Sequence, residues 1–176
     1  MSAQSTPSAA DLLRVLAPAS PWNVCAISSI APSQGKRNAP TKLGYHITPG
    51  NSEDPREGLQ AFIATAEAGR FNAYLHIADG PSTKPKLSKS DLNTCRATWA
   101  DVDPDPARFH ESRAEILAAM QAEQPPFSCI VDSGNGYQGF KFIEEVSLGG
   151  DGIAKLEACN LAISQSLNAR LAGTGC

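Results

Sequence analysis

The chain alternates between short apolar runs and longer stretches with helical spacing, punctuated by Pro, Gly, Asn and Ser. The run "WNVCAISSI" (Trp22 to Ile30) predicts a strand, and "LGYHIT" beyond the polar loop "APSQGKRNAPTK" predicts its hairpin partner. In "DPREGLQAFIATAEAGRFN" the apolar residues Leu59, Phe62, Ile63 and Ala66 recur at helical spacing. A proline stands near its start and Gly69 at its end, which predicts a helix. "NAYLHIA" (Asn72 to Ala78) and "RATWADVD" predict two further strands, the second ended by Pro104 and Pro106.

Downstream, "PARFHESRAEILAAMQAEQPP" predicts a helix with Phe109, Ile116, Leu117 and Met120 on its apolar face. "FSCIVDS" and "YQGFKFIEE" predict strands joined through "GNG", the favoured chemistry of a tight hairpin. A long helix follows in "GIAKLEACNLAISQSLNARLAG", with Ile153, Leu156, Leu161, Ile163 and Leu167 inward and an end near Gly173. A short helix begins near Ala10, after a mobile tail over residues 1–10. The order β(β)–α–β–β–α–β–β–α predicts an α/β domain of the α+β type with a mixed sheet over residues 11–176. The hairpin breaks the alternation that a doubly wound parallel sheet needs. The chain stops at "AGTGC" directly after a helix, so it reads as truncated.

Two aspartates change this picture. "ATWADVDP" carries Asp101 and Asp103 to the end of an apolar strand. Alternate residues of a strand share a face, so the two carboxylates project together about 6–7 Å apart at the backbone, while Val102 points into the core. Side by side they repel, and burying them unpaired is costly. A hard divalent cation resolves the conflict, because Mg²⁺ takes carboxylate oxygens together with water and phosphate oxygens. The plainer alternative is a polar turn, with Asp103 and Asp105 capping the next helix.

The hairpin "VDSGNGYQGFKF" is the second candidate. Asn-Gly alone makes the turn, yet Ser133 and Gly134 precede it. Glycines at 134 and 136, with Asn135 between them, allow close backbone approach and successive N–H groups for phosphate oxygens, and Ser133 adds a donor. Past the turn Gln138 shares a strand face with Phe140 and Phe142, while Tyr137 and Lys141 lie on the other. Lys141 is a candidate for neutralising phosphate charge.

Composition narrows the classes. With 176 residues, 41% hydrophobic and 19% charged, the chain suits one globular domain. It contains neither a membrane-spanning apolar run nor a secretory leader, so no membrane partner is expected. The five cysteines include no CxxC pair and the three histidines are isolated, which points to a reduced, cytoplasmic protein without structural metal. A net charge of −3 argues against holding duplex DNA by bulk electrostatics. Lys84, Lys86, Lys89 and Arg96 nonetheless form a local basic strip, whose plain reading is a solvated loop. A sugar-nucleotide transferase with its own Asp-x-Asp would need a Rossmann-type alternation. A rolling-circle nuclease would need paired histidines. Neither is present.

In combination these pieces are more specific. The strand "NAYLHIA", the loop "KLSKSDL", the strand end "WADVDPD", a helix, then "PPFSCIVDSGNGYQGFKF" and a long helix resemble the archaeo-eukaryotic primase superfamily. The closest likeness is to the primase-polymerase domains of phage and plasmid replication proteins, from about Trp22 onward. The resemblance implies a primase-like catalytic core with a sheet related to the RNA-recognition fold. It also implies metal-dependent primer synthesis or extension on single-stranded DNA from nucleoside triphosphates, with a fused or associated helicase domain. The family's Asp-x-Asp maps onto Asp101 and Asp103 as ligands of Mg²⁺ or Mn²⁺. Its phosphate-contacting hairpin maps onto Ser133, Gly134, Asn135, Gly136 and Gln138, and its basic residues onto Lys84, Lys86, Lys89 and Arg96. Two positions depart from the pattern: Gln138 stands where many members have histidine, and Lys141 where an aromatic residue is common. The family's third acidic ligand, normally beyond the long helix, has no counterpart after Asp151, which implies weak or no activity for this chain alone. A non-catalytic replication-initiator module that kept the fold is the alternative.

Overall fold

A computed structural model describes residues 9–16, 18, 22–28, 43–47, 55–69, 71–80, 87–105 and 112–173. The chain falls into two compact units, residues 1–95 and 96–176. The order is α1 (Ala9–Leu16), β1 (Trp22–Ser28), β2 (Leu43–Ile47), α2 (Pro55–Ala68), β3 (Phe71–Leu75), β4 (Ala78–Asp79), β5 (Thr94–Val102), α3 (Arg113–Gln121), β6 (Cys129–Asp132), β7 (Tyr137–Ser147) and α4 (Gly152–Gly173). It is a mixed α+β arrangement in which β1/β2, β1/β3, β4/β5 and β6/β7 all pair antiparallel.

In the first unit, β1 is the centre of a three-stranded sheet, with Val24 opposite Tyr45 of β2 and Leu75 of β3. Ala10 and Leu13 of α1 pack with Val24 and with Leu59, Phe62 and Ala66 of α2. The predicted spacing in α2 therefore buries the face it named, with Ile63 at its margin. The stretch expected as one strand from Asn72 to Ala78 is divided: β3 pairs with β1, and after His76 and Ile77 the chain resumes as β4, opposite Thr94 and Cys95.

In the second unit, β5, β7 and β6 lie side by side in that order. Ala100 and Val102 of β5, Ile116, Ala119 and Met120 of α3, and Leu167 and Leu171 of α4 form its core, with Phe127, Ile130, Tyr137 and Ile163 packed around them. Helix α3 starts at Arg113 because Ser112 caps it: the Ser112 hydroxyl accepts from the Glu115 N–H (3.3 Å) and the Glu115 carboxylate accepts from the Ser112 N–H (3.2 Å). Neither Asp103 nor Asp105 supplies that cap. Phe109 lies outside the described residues.

One inward assignment on α4 is corrected. Leu161 is 58% exposed, whereas Leu156, Leu167 and Leu171 are buried. Successive residues turn about 100°, so Leu156, Ile163, Leu167 and Leu171 share one stripe and Leu161 falls well outside it.

A second cluster fastens this core. Glu123, just past α3 and only 2% exposed, accepts from Lys141 Nζ on β7 (3.3 Å) and from Ser166 Oγ and Arg170 Nε on α4 (3.1 Å each). A carboxylate buried this deeply is tolerated when its oxygens are paired in this way.

Candidate functional site

Strand β5 delivers Asp101 and Asp103 away from the core, because Ala100 and Val102 take the inward positions beside Ile116 and Met120. Asp101 is within the strand and Asp103 immediately follows it, so the pair straddles the point where pairing stops. Burial pushes the Asp101 carboxyl above the ordinary carboxylate range, and the Asp103 charge pushes it further the same way. A hydrogen bond from the Gln138 side chain opposes both. Gln138 reaches it from β7, the neighbour of β5.

The turn between β6 and β7 meets the same place. A Cβ built on Gly136 would overlap the Val102 carbonyl oxygen, and would lie 2.5 Å from Asp103 Oδ1 and 2.8 Å from Asp103 Cα. Only glycine permits this approach, and the reason is contact with the strand end rather than turn conformation. Two segments some thirty positions apart in sequence, the Asp-x-Asp and the Ser-Gly-Asn-Gly turn, are thereby one surface.

The turn is closed from within. The Ser133 N–H donates to the Gly136 carbonyl (3.1 Å), and the Gly136 N–H donates to Ser133 Oγ (3.0 Å). The Gly134 N–H donates to Asp132 Oδ1 (2.7 Å), and Gly134 has φ +89°, a conformation few other residues adopt. The amides of Gly134 and Gly136, expected from sequence to face phosphate oxygens, are therefore used inside the turn. The Ser133 hydroxyl accepts there and keeps its own proton to donate.

Two of the other expected contacts, Lys141 and Arg96, are paired with carboxylates. Lys141 pairs with Glu123 and sits over the Phe127 ring, 5.2 Å from its centroid. It is on the strand face opposite Gln138, and its charge is committed to the buried carboxylate. Arg96 pairs with Glu145 at 2.9 Å. Lys89 opens a short 3₁₀ turn, Lys89–Asp91, capped by Ser88. Lys84 and Lys86 lie outside the described residues.

Two residues that sequence reasoning passed over belong to this site. Asp132 and Arg113 form an ion pair, and Arg113 Nη1 also donates to the Gly134 carbonyl (2.7 Å). The Gly134 N–H and the Arg113 guanidinium hold the Asp132 carboxyl below its ordinary range. An aspartate two residues before a glycine is a side-chain turn signal that could have marked Asp132. Nothing local marks Arg113.

As for a metal, the donors here are two same-face carboxylates, and among the described residues no lysine or arginine pairs with either. That set fits a hard divalent cation that draws its other oxygens from water and phosphate. Among the described residues no group of three or more His, Cys, Asp or Glu side chains is arranged to hold one. Cys129 and Cys159 are free thiols, and burial pushes that of Cys129 up. No helix among the described residues is long and apolar enough to cross a membrane.

Comparison with known protein families, with characterised proteins and with solved structures returns no match for this chain.

Proposed function

We propose that this chain is a primase-polymerase-type nucleotidyltransferase domain of a phage or plasmid replication protein. It builds or extends short primers on single-stranded DNA from nucleoside triphosphates. One observation carries the reading: the Asp-x-Asp strand end and the Ser-Gly-Asn-Gly turn, distant in sequence, touch at Gly136 and Asp103, with Gln138 on Asp101. Each motif alone is weak. Their contact is what a site for a metal-bound nucleotide requires.

In this reading Asp101 and Asp103 hold Mg²⁺ or Mn²⁺, which when bound neutralises phosphate charge and polarises the reacting oxygens. Gln138 fixes the rotamer of Asp101 without adding charge. Ser133 donates its hydroxyl proton to a phosphate oxygen, while Gly136 keeps the turn close enough for it to reach. Positioning and charge stabilisation would then account for catalysis. The chain would work in the cytoplasm beside a fused or associated helicase domain, with a further acidic group completing the metal site. Lys84, Lys86, Lys89 and Arg96 are the candidates for template or nucleotide contact.

A second reading has its own support. The turn amides are used internally and Lys141 is tied to Glu123, so the site offers phosphate fewer donors than a strong nucleotide site has. That favours a non-catalytic DNA-binding replication-initiator module. A thermal-shift titration with deoxy- and ribonucleoside triphosphates, with and without Mn²⁺, separates the two. Metal-dependent stabilisation that the Asp101→Asn/Asp103→Asn variant loses supports the enzyme site. Binding of single-stranded DNA with no metal-dependent nucleotide effect overturns it and leaves the module.

A further inference from the structure

Arg113 and Asp132 have no part in the chemistry above, yet they meet on the hairpin that forms the site. Arg113 is the first residue of α3, and the Ser112–Glu115 capping box sets where that helix begins. Its guanidinium donates to the Gly134 carbonyl (2.7 Å) and pairs with Asp132, and it stacks 5.0 Å above the Tyr137 ring. Asp132 in turn accepts from the Gly134 N–H (2.7 Å). Gly134 thus has its N–H held by one member of an ion pair and its C=O by the other.

A turn with two glycines is the least ordered kind of backbone, and fixing it has a high entropic cost. An exposed ion pair ordinarily contributes little. Here one planar fork engages two acceptors and rests on an aromatic face, a geometry that lysine cannot reproduce. The pairing also cancels the Asp132 charge, so the turn brings no further uncompensated carboxylate beside Asp101 and Asp103. Two residues beyond Gly134 the same turn seats Gly136 against Asp103.

We propose that Arg113 and Asp132 form a latch that sets the position of the 133–136 turn relative to Asp101 and Asp103, and that both are positioning residues of the site. What the site does with that order rests on the primase-type reading. The latch itself is tested independently of it.

The test measures amide hydrogen exchange at Gly134 and Gly136 by NMR in the whole chain. Wild type is compared with Arg113→Lys, Arg113→Gln and Asp132→Asn. Lys155→Gln serves as control, because it removes the exposed Lys155–Asp151 pair on α4. Nucleotide affinity with Mn²⁺ is measured on the same samples. Both Arg113 variants should exchange at least about tenfold faster at these two glycines, with melting temperatures close to that of the control. Nucleotide affinity should fall about tenfold in Arg113→Gln, through loss of order and not of a contact. Unchanged exchange at both glycines overturns the latch. Faster exchange with unchanged nucleotide affinity overturns the positioning role. A wild type that binds no nucleotide ends the enzyme reading, and the exchange rates still decide the latch.

Discussion

Replacing Gly136 with alanine tests the contact on which the site depends. The added methyl would overlap the Val102 carbonyl and stand 2.8 Å from Asp103 Cα, both backbone atoms that cannot rotate aside. Carbon atoms sit comfortably at about 3.5–4.0 Å, so the hairpin must lift or the strand end must yield by about 1 Å. Overpacking of this kind costs about 1–3 kcal/mol. Gly134→Ala is the paired control: its Cβ meets nothing within 4 Å, but φ is +89°. Its penalty is conformational, about 1–2 kcal/mol, and leaves Asp103 untouched. Urea unfolding followed through Trp99 in a Trp22→Phe background measures both costs, and the ¹³C shifts of the Asp101 and Asp103 carboxyls show where strain goes. Both alanines should destabilise, and only Gly136→Ala should move the carboxyl resonances. A Gly136→Ala protein as stable as wild type, with those resonances unmoved, would refute the contact.

Two further outcomes follow from the carboxylates. Glu123→Ala leaves Lys141 partly buried without its partner and should cost about 3–5 kcal/mol by the same unfolding assay, whereas Glu123→Met with Lys141→Met should recover most of the loss. Asp101→Asn should raise the melting temperature of the metal-free chain near neutral pH while abolishing Mn²⁺-dependent nucleotide binding. The sign follows from the raised pKa of Asp101. The folded wild type holds that proton more tightly than the unfolded chain, so the wild type's stabilisation by protonated Asp101 is complete below the ordinary carboxylate value and is lost as pH rises through the raised one. The melting-temperature gap between wild type and Asp101→Asn should therefore close on acidification.

Much of this was legible in the chain because local pattern and tertiary use agree. Helix α2 buries the stripe its spacing names, and β5 ends where two aspartates and a proline stop it. Disagreement arises where a distant partner decides. Leu161 is apolar but off the α4 stripe, so apolarity alone does not place it inward. Lys141 has the local pattern of a strand lysine open to phosphate, but Glu123, eighteen residues earlier, accepts from it. The segment from Asn72 to Ala78 has one continuous pattern but two partners, β1 and then β5, and partner choice leaves no local mark. Both site motifs could be read singly. Their meeting at Gly136 could not, since it depends on β5 and β7 being neighbours.

The second unit treats two carboxylates in opposite ways. Glu123 is almost wholly buried, and its oxygens meet two cationic side chains and a hydroxyl, so its charge is compensated within the chain. Asp101 is only partly shielded, yet it receives one neutral amide from Gln138 and faces a like charge at Asp103. Burial first and the Asp103 charge second push its pKa up, and the Gln138 bond opposes them. Folding alone gives no reason to keep the pair, because asparagine at 101 would hold the Gln138 bond and relieve the repulsion. A sequence that solves the problem fully at Glu123 and leaves it open at Asp101 breaks a local rule where an external cation would mend it, and such breaches gather at functional sites. The Gly136 contact places the breach against a turn instead of in open solvent. Together they make the strand end of β5, and not the lysine loop, the place where chemistry should be sought first.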